Sequence, residues 1–97
     1  MNYIYVEWNH PFESEPFIII SEIDDKQYEI RKIEIFKNGS IGFADSNVEY
    51  LGTELSAEPF PSIDEIKSES EFIPKKISKE QFEEYWLEKV IPLLKVK

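Results

Sequence analysis

Ninety-seven residues are enough for one core and too few for two folded domains, and a chain of this size buries roughly 65% of the surface its unfolded form exposes. Apolar residues make up 41% of the chain and aromatics 14%, a composition that excludes disorder and fits one globular domain spanning 1–97. Twenty acids against eleven bases give a formal charge of −9, a field that opposes phosphate backbones and argues against direct binding of nucleic acid.

The alternation of Ile4, Val6 and Trp8 with Tyr3, Tyr5 and Glu7 predicts a half-buried strand over 3–8. Pro11 and Pro16 cannot donate ladder hydrogen bonds, so 9–16 reads as a loop, followed by a second strand over 17–22. After the polar turn Asp24-Asp25-Lys26, residues 28–37 read as a long strand whose apolar phase slips between Ile30 and Ile33, which predicts a bulge near Arg31-Lys32. Asn38-Gly39 supplies the positive φ angles of a two-residue type I′ turn into a strand over 40–44. That register puts Glu34, Phe36, Ile41 and Phe43 on one side and Ile33, Ile35, Gly42 and Ala44 on the other, so both faces are partly apolar. Residues 48–55, interrupted by Gly52, are a candidate fifth strand.

The last third switches to helical spacing. Ser62-Ile63-Asp64-Glu65 and Ser78-Lys79-Glu80-Gln81 both match the capping box, and Ile77 stands where a hydrophobic staple onto Phe82 is expected. Phe82, Tyr85, Trp86 and Val90 form one apolar face of the second helix, which Pro92 is expected to end. The expected architecture is α+β: an antiparallel sheet of four or five strands, with a short helix and a C-terminal helix packed on one face.

Chemistry-bearing motifs are sparse. The absence of cysteine removes disulfides, thiolate metal sites and cysteine nucleophiles together and fits a reducing cytoplasm. The longest apolar run, Phe17-Ile18-Ile19-Ile20, is too short to cross a bilayer, and Met1-Asn2-Tyr3 lacks the positive charge that opens a signal peptide. Any histidine relay or zinc site would depend on His10 alone, whose ordinary use is as a loop hydrogen-bonding residue. Asp45-Ser46-Asn47-Val48-Glu49 opens like a calcium loop, yet Tyr50 stands where glycine is needed. Phosphate-cradling and nucleophile-elbow glycine motifs are absent. No cofactor and no metal is expected.

Charge is distributed in blocks. Residues 1–25 hold six acids and no base, and residues 40–71 hold eight acids and only Lys67. If the fold brings these segments together, they form an acidic surface that either docks a basic protein or keeps a small domain soluble.

Three stretches, Tyr3-Ile4-Tyr5-Val6-Glu7-Trp8-Asn9-His10, Glu29-Ile30-Arg31-Lys32-Ile33-Glu34-Ile35-Phe36-Lys37-Asn38-Gly39 and Pro59-Phe60-Pro61-Ser62-Ile63-Asp64-Glu65-Ile66, resemble a family of small single-domain bacterial proteins of uncharacterised function. The resemblance covers most of the chain and implies a cytosolic domain of this size. It makes Trp8, His10, Arg31, Glu34 and Gly39 the recurring pattern and carries no catalytic residue with it. Arg31, the only arginine, is expected either to pair with Glu7 or Glu29 or to present its fork to an anion.

The expected function is that of a non-enzymatic, acidic protein-binding module, in its most concrete form an immunity or antitoxin-like protein that neutralises a basic toxin. Candidate contacts are Glu13, Glu15, Asp45, Glu49, Glu54 and Glu58, with Trp8 as an aromatic anchor. The alternative is a small enzyme or small-molecule binder with a pocket around Trp8, His10, Arg31 and Glu34. A homodimer through Phe36, Ile41 and Phe43 is compatible with either.

Overall fold

Six strands make one antiparallel sheet in the computed structural model, which describes residues 1–94. They are β1 (Asn2–Trp8), β2 (Pro16–Ile23), β3 (Glu29–Phe36), β4 (Ile41–Ala44), β5 (Glu49–Tyr50) and β6 (Phe72–Lys76), in the spatial order β5-β4-β3-β2-β1-β6. The first five form a meander. The chain then leaves β5 at one edge, crosses one face through residues 51–71 carrying the helix α1 (Ile63–Lys67), and returns beside β1 as β6.

The sixth strand departs from the expected four or five. Pro74 and the paired lysines that follow weaken the strand pattern, but an edge strand with only one neighbour tolerates a residue that cannot donate to a ladder. The fifth strand is shorter than expected: it has two residues, because Leu51 and Gly52 both take positive φ and turn the chain away.

Strand registers divide the apolar residues cleanly. Tyr5 faces Ile20, Ile20 faces Ile33 and Ile33 faces Phe43, so these side chains share face A. The C-terminal helix covers that face, with Phe82, Trp86 and Val90 buried against it. Ile4, Val6 and Ile23 lie on face B beneath Ile66 of α1, with Phe60, Ile63 and Phe72 around them. The two helices therefore pack on opposite faces of the sheet, not on one, because each face carries its own apolar row.

The β3–β4 connection has three residues rather than two. Gly39 N–H donates to Phe36 O (2.9 Å) and Phe36 N–H to Ser40 O (3.0 Å), and only Gly39, at φ +89°, is left-handed. The pairing is consequently Ile35 with Ile41 and Ile33 with Phe43. Ile41 and Phe43 lie beneath the C-terminal helix, Phe43 at 1% exposure, and are separated from Phe36, so the face named for a homodimer is not a surface.

The bulge sits at Ile30, just before the expected Arg31-Lys32. β2 advances one residue from Glu22 to Ile23 while β3 moves two, from Arg31 to Glu29. A regular strand puts residues three apart on opposite faces; the extra residue puts Glu29 and Lys32 on the same one.

Both capping boxes form. Ser78 Oγ accepts from Gln81 N–H (3.0 Å) while Gln81 Oε1 accepts from Ser78 N–H (2.8 Å), and Ser62 with Glu65 repeats the arrangement at α1. The C-terminal helix runs as α2 (Lys79–Tyr85), a π-helical turn Trp86–Val90 and α3 (Ile91–Leu94). It passes through Pro92 instead of stopping there. Ile91 N–H donates five residues back to Trp86 O, so Pro92 falls in the first turn of a restarted α-helix, where its missing donor costs little.

Candidate functional site

The bulge at Ile30 builds the floor of the main concavity. Glu29 has a nearly inaccessible side chain (2% exposed) on face B, where its Oε1 meets Lys32 Nζ at 3.0 Å and accepts from Ser56 N–H at 2.7 Å. Its Oε2 accepts from Ser21 Oγ at 3.3 Å. Lys32 Nζ also donates to Glu54 O at 3.1 Å, so this single ion pair ties the crossover segment to the sheet. Farther along the crossover, Phe60 N–H donates to Gln27 O, which anchors Phe60, flanked in sequence by Pro59 and Pro61, against the apolar cluster of face B.

Over that floor, Phe60, Ile66 of α1, Phe72 of β6, Val6 and Ile19 enclose a cleft of about 510 Å³, with Glu65, Ser68 and Glu69 also lining it. Its volume lies in the range of small-ligand pockets. Glu29 and Lys32 are already engaged by partners, and the remaining walls are largely apolar, so the arrangement suits binding more than proton transfer. Sequence reasoning missed this cleft. The available signals were the Glu-x-x-Lys pair across a phase slip and an aromatic bracketed by two prolines.

Arg31 belongs to face A. Its Nε lies 2.6 Å from Glu22 Oε1 and its Nη2 2.7 Å from Glu83 Oε2, and its guanidinium stacks over Phe82 (4.8 Å) and Trp86 (4.9 Å). Glu22 and Glu83, not Glu7 or Glu29, are thus its partners, since β2 places Glu22 directly opposite it and the helix brings Glu83 down. Burial on its own lowers the pKa of Arg31, and the hydrogen bonds to the two carboxylates outweigh it and raise it above the ordinary guanidinium value. The bond from Arg31 holds the Glu83 carboxyl below the usual range. Tyr3 O–H donates to Glu22 Oε2 (3.1 Å), and burial together with that bond pushes the phenol up.

Trp8, His10, Arg31 and Glu34 do not converge. Arg31 projects to face A, whereas Glu34 lies on face B and accepts from the buried Thr53 hydroxyl at 2.7 Å. Gly42 makes that contact feasible: a Cβ there would lie 2.1 Å from Thr53 Oγ1. His10 staples the first loop, its Nε2 2.8 Å from Pro16 O and its Nδ1 accepting from Phe12 N–H at 3.0 Å. That pattern assigns the neutral ring with the proton on Nε2. Trp8 packs between His10 (4.3 Å between ring centres) and Phe72 (5.5 Å), and Glu34 lies opposite Ile19, so these two neighbour residues of the cleft wall without lining it themselves.

The acidic candidates are spread over the first loop, the β4–β5 hairpin and the crossover. Glu13 shares a shallow hollow with Phe36 and Leu51, which brings the first loop to the segment after β5. Glu15 is exposed in the same loop, and Glu49 is exposed on β5 opposite Ala44. Asp45 accepts from Asn47 N–H (2.8 Å) and Val48 N–H (2.9 Å), forming the β4–β5 turn. Glu54 and Glu58 are exposed on the crossover. None of the six takes part in an ion pair among the described residues. Nor does any group of three or more His, Asp or Glu side chains among them stand ready to hold a metal ion, and no helix among them is long and apolar enough to cross a membrane.

No curated protein and no solved structure matches the chain. A family model described as a domain of unknown function, DUF6881, matches residues 2–91. That match takes in all six strands, α1 and the C-terminal helix as far as Ile91, so the chain belongs to the DUF6881 family.

Proposed function

We propose that this protein is a non-enzymatic binding module that docks a basic protein partner through its acidic surface, as an immunity or antitoxin-like protein would neutralise a basic toxin. One observation carries the reading: the three bases of β3 and the turn that follows it are engaged internally, while five acids of the first loop, β5 and the crossover are not. Arg31 is held by Glu22 and Glu83, Lys32 by Glu29 and Glu54 O, and Lys37 donates to His10 O. Glu13, Glu15, Glu49, Glu54 and Glu58 face solvent without an ion pair among the described residues. Such an excess field speeds encounter with a positive partner and disfavours negative ones. Trp8, half-buried at the end of β1, supplies an aromatic contact beside the first loop.

The test is a tagged pull-down from lysate of the source organism at low and high salt, run in parallel with Glu13→Lys, Glu15→Lys, Glu49→Lys and Glu58→Lys combined. A basic protein recovered by the native chain at low salt, and lost with the variant and at high salt, is the expected result. Identical recoveries from native chain and variant would sink the acidic-face reading. A second reading, a small-molecule-binding domain, is favoured by the cleft on face B rather than by the Trp8, His10 and Arg31 set.

A further inference from the structure

We propose that the cleft between α1 and face B is a binding site for a small amphiphilic cation, an aromatic or aliphatic body carrying one ammonium group. The body would lie between Phe60 and Phe72 over Val6 and Ile19. Both aromatic rings are only half-buried although they line a cavity of about 510 Å³, so apolar surface that a well-packed domain would cover is left open to a ligand.

The charge of the lining selects the sign of the ligand. Three carboxylates, Glu29, Glu65 and Glu69, stand against the single ammonium of Lys32. Lys32 is unavailable to an anion because Glu29 Oε1 and Glu54 O already hold it at 3.0 and 3.1 Å. Glu65, within α1, and Glu69, two residues beyond its last helical residue, are both exposed and both line the cleft. Glu65 Oε1 accepts only from Ser62 N–H (3.1 Å), which leaves its carboxylate with capacity for a second donor. A ligand seated on the two phenylalanines would therefore meet negative charge on the α1 side and no free positive charge. These two acids are not among those of the acidic protein-docking reading, so the site stands independently of it.

The probe is phenylpropylammonium, compared with its isosteres phenylpropanol and phenylpropionate, in an amide NMR titration of the full chain. For a ligand of this size a Kd on the order of 1 mM is expected, with shifts concentrated at Val6, Ile19, Ile66 and Phe72. The ammonium should bind roughly three- to tenfold more tightly than the alcohol, and the carboxylate most weakly. Glu65→Gln with Glu69→Gln should remove the ammonium's advantage and leave the alcohol's affinity unchanged; glutamine at position 65 can still complete the capping box. Ser68→Trp, which fills the cleft from an exposed position, should abolish the shifts of all three. An alcohol that binds as tightly as the ammonium, shifts outside the cleft, or no saturable shifts at all would each overturn the proposal.

Discussion

Glu83 shows how one exposed-looking helix residue is tied to the sheet. Its carboxylate meets Arg31 Nη2 at 2.7 Å, and Arg31 in turn holds Glu22, which is only 7% exposed. Because that contact depresses the folded-state pKa of Glu83 below the ordinary value of 4.5, its stabilisation is fully present above about pH 4.5 and is lost as pH falls through the folded pKa. Glu83→Gln should consequently lower stability at neutral pH by about 1 kcal/mol, the order expected for a partly exposed charged pair. It should also flatten the acid limb of a urea-unfolding series. Equal acid slopes for native chain and variant would show that Glu83 carries none of the pH dependence. Arg31 was legible as an isolated base that required a carboxylate, but its partners were not: Glu22 depends on the register of β2 with β3, and Glu83 on a helix more than fifty residues away. Gly42 was still less legible, since its need for a missing side chain arises only where Thr53 crosses it.

At the level of elements, the capping residues and alternation located β1, β2, α1 and the start of α2, because those signals are local. The turn at Asn38-Gly39 was found but its length was not, and one residue of turn length reassigned every side chain of β4 relative to β3. β6 was hidden by Pro74, whose tolerance depends on being at the sheet edge, a tertiary fact. The π-turn at Trp86–Val90 makes a sharper prediction. A single π-turn acts as one extra residue in an α-helix, and Leu87, Glu88 and Lys89 within it are exposed while Trp86 and Val90 are buried. Deleting Glu88 should tighten the turn to ordinary α-helix, keep both anchors on face A and leave Tm within a few degrees of native. Deleting Glu84, inside regular helix and before the π-turn, should rotate Trp86 by about 100° away from the sheet whether or not the turn then closes up, and abolish cooperative unfolding. Thermal melts followed by circular dichroism separate the two; equal damage from both deletions would refute the extra-residue account.

Across the whole molecule, the acidic blocks read from the sequence correspond to the first loop and the β4-to-α1 region, and the shared hollow of Glu13 and Leu51 joins them at one point. The cleft was not legible at this scale, because it needs a sixth strand at one edge, a crossover from the other, and a bulge that turns Glu29 and Lys32 to the same face. The charge distribution nevertheless fixes how the domain responds to salt. Two opposing effects compete: screening weakens attraction within ion pairs and weakens repulsion among the exposed acids of a chain carrying −9. The pairs of Arg31 with Glu22 and Lys32 with Glu29 are largely removed from solvent, with side-chain exposures of 19% and 9%, and 14% and 2%, so salt reaches them poorly. Glu13, Glu15, Glu49 and Glu58 stand in water, where screening acts fully. Repulsion is therefore the larger loss, and adding sodium chloride should raise stability by about 1 kcal/mol, or about 4–8 °C in Tm for a domain of this length. Chloride is the appropriate anion because sulfate would strengthen apolar burial and confound the comparison. Neutralising the four exposed glutamates to glutamine should raise Tm at low salt and shrink its salt dependence together. A Tm that falls with added chloride would mean that attraction within the ion pairs, rather than repulsion around the rim, governs the electrostatics of the fold.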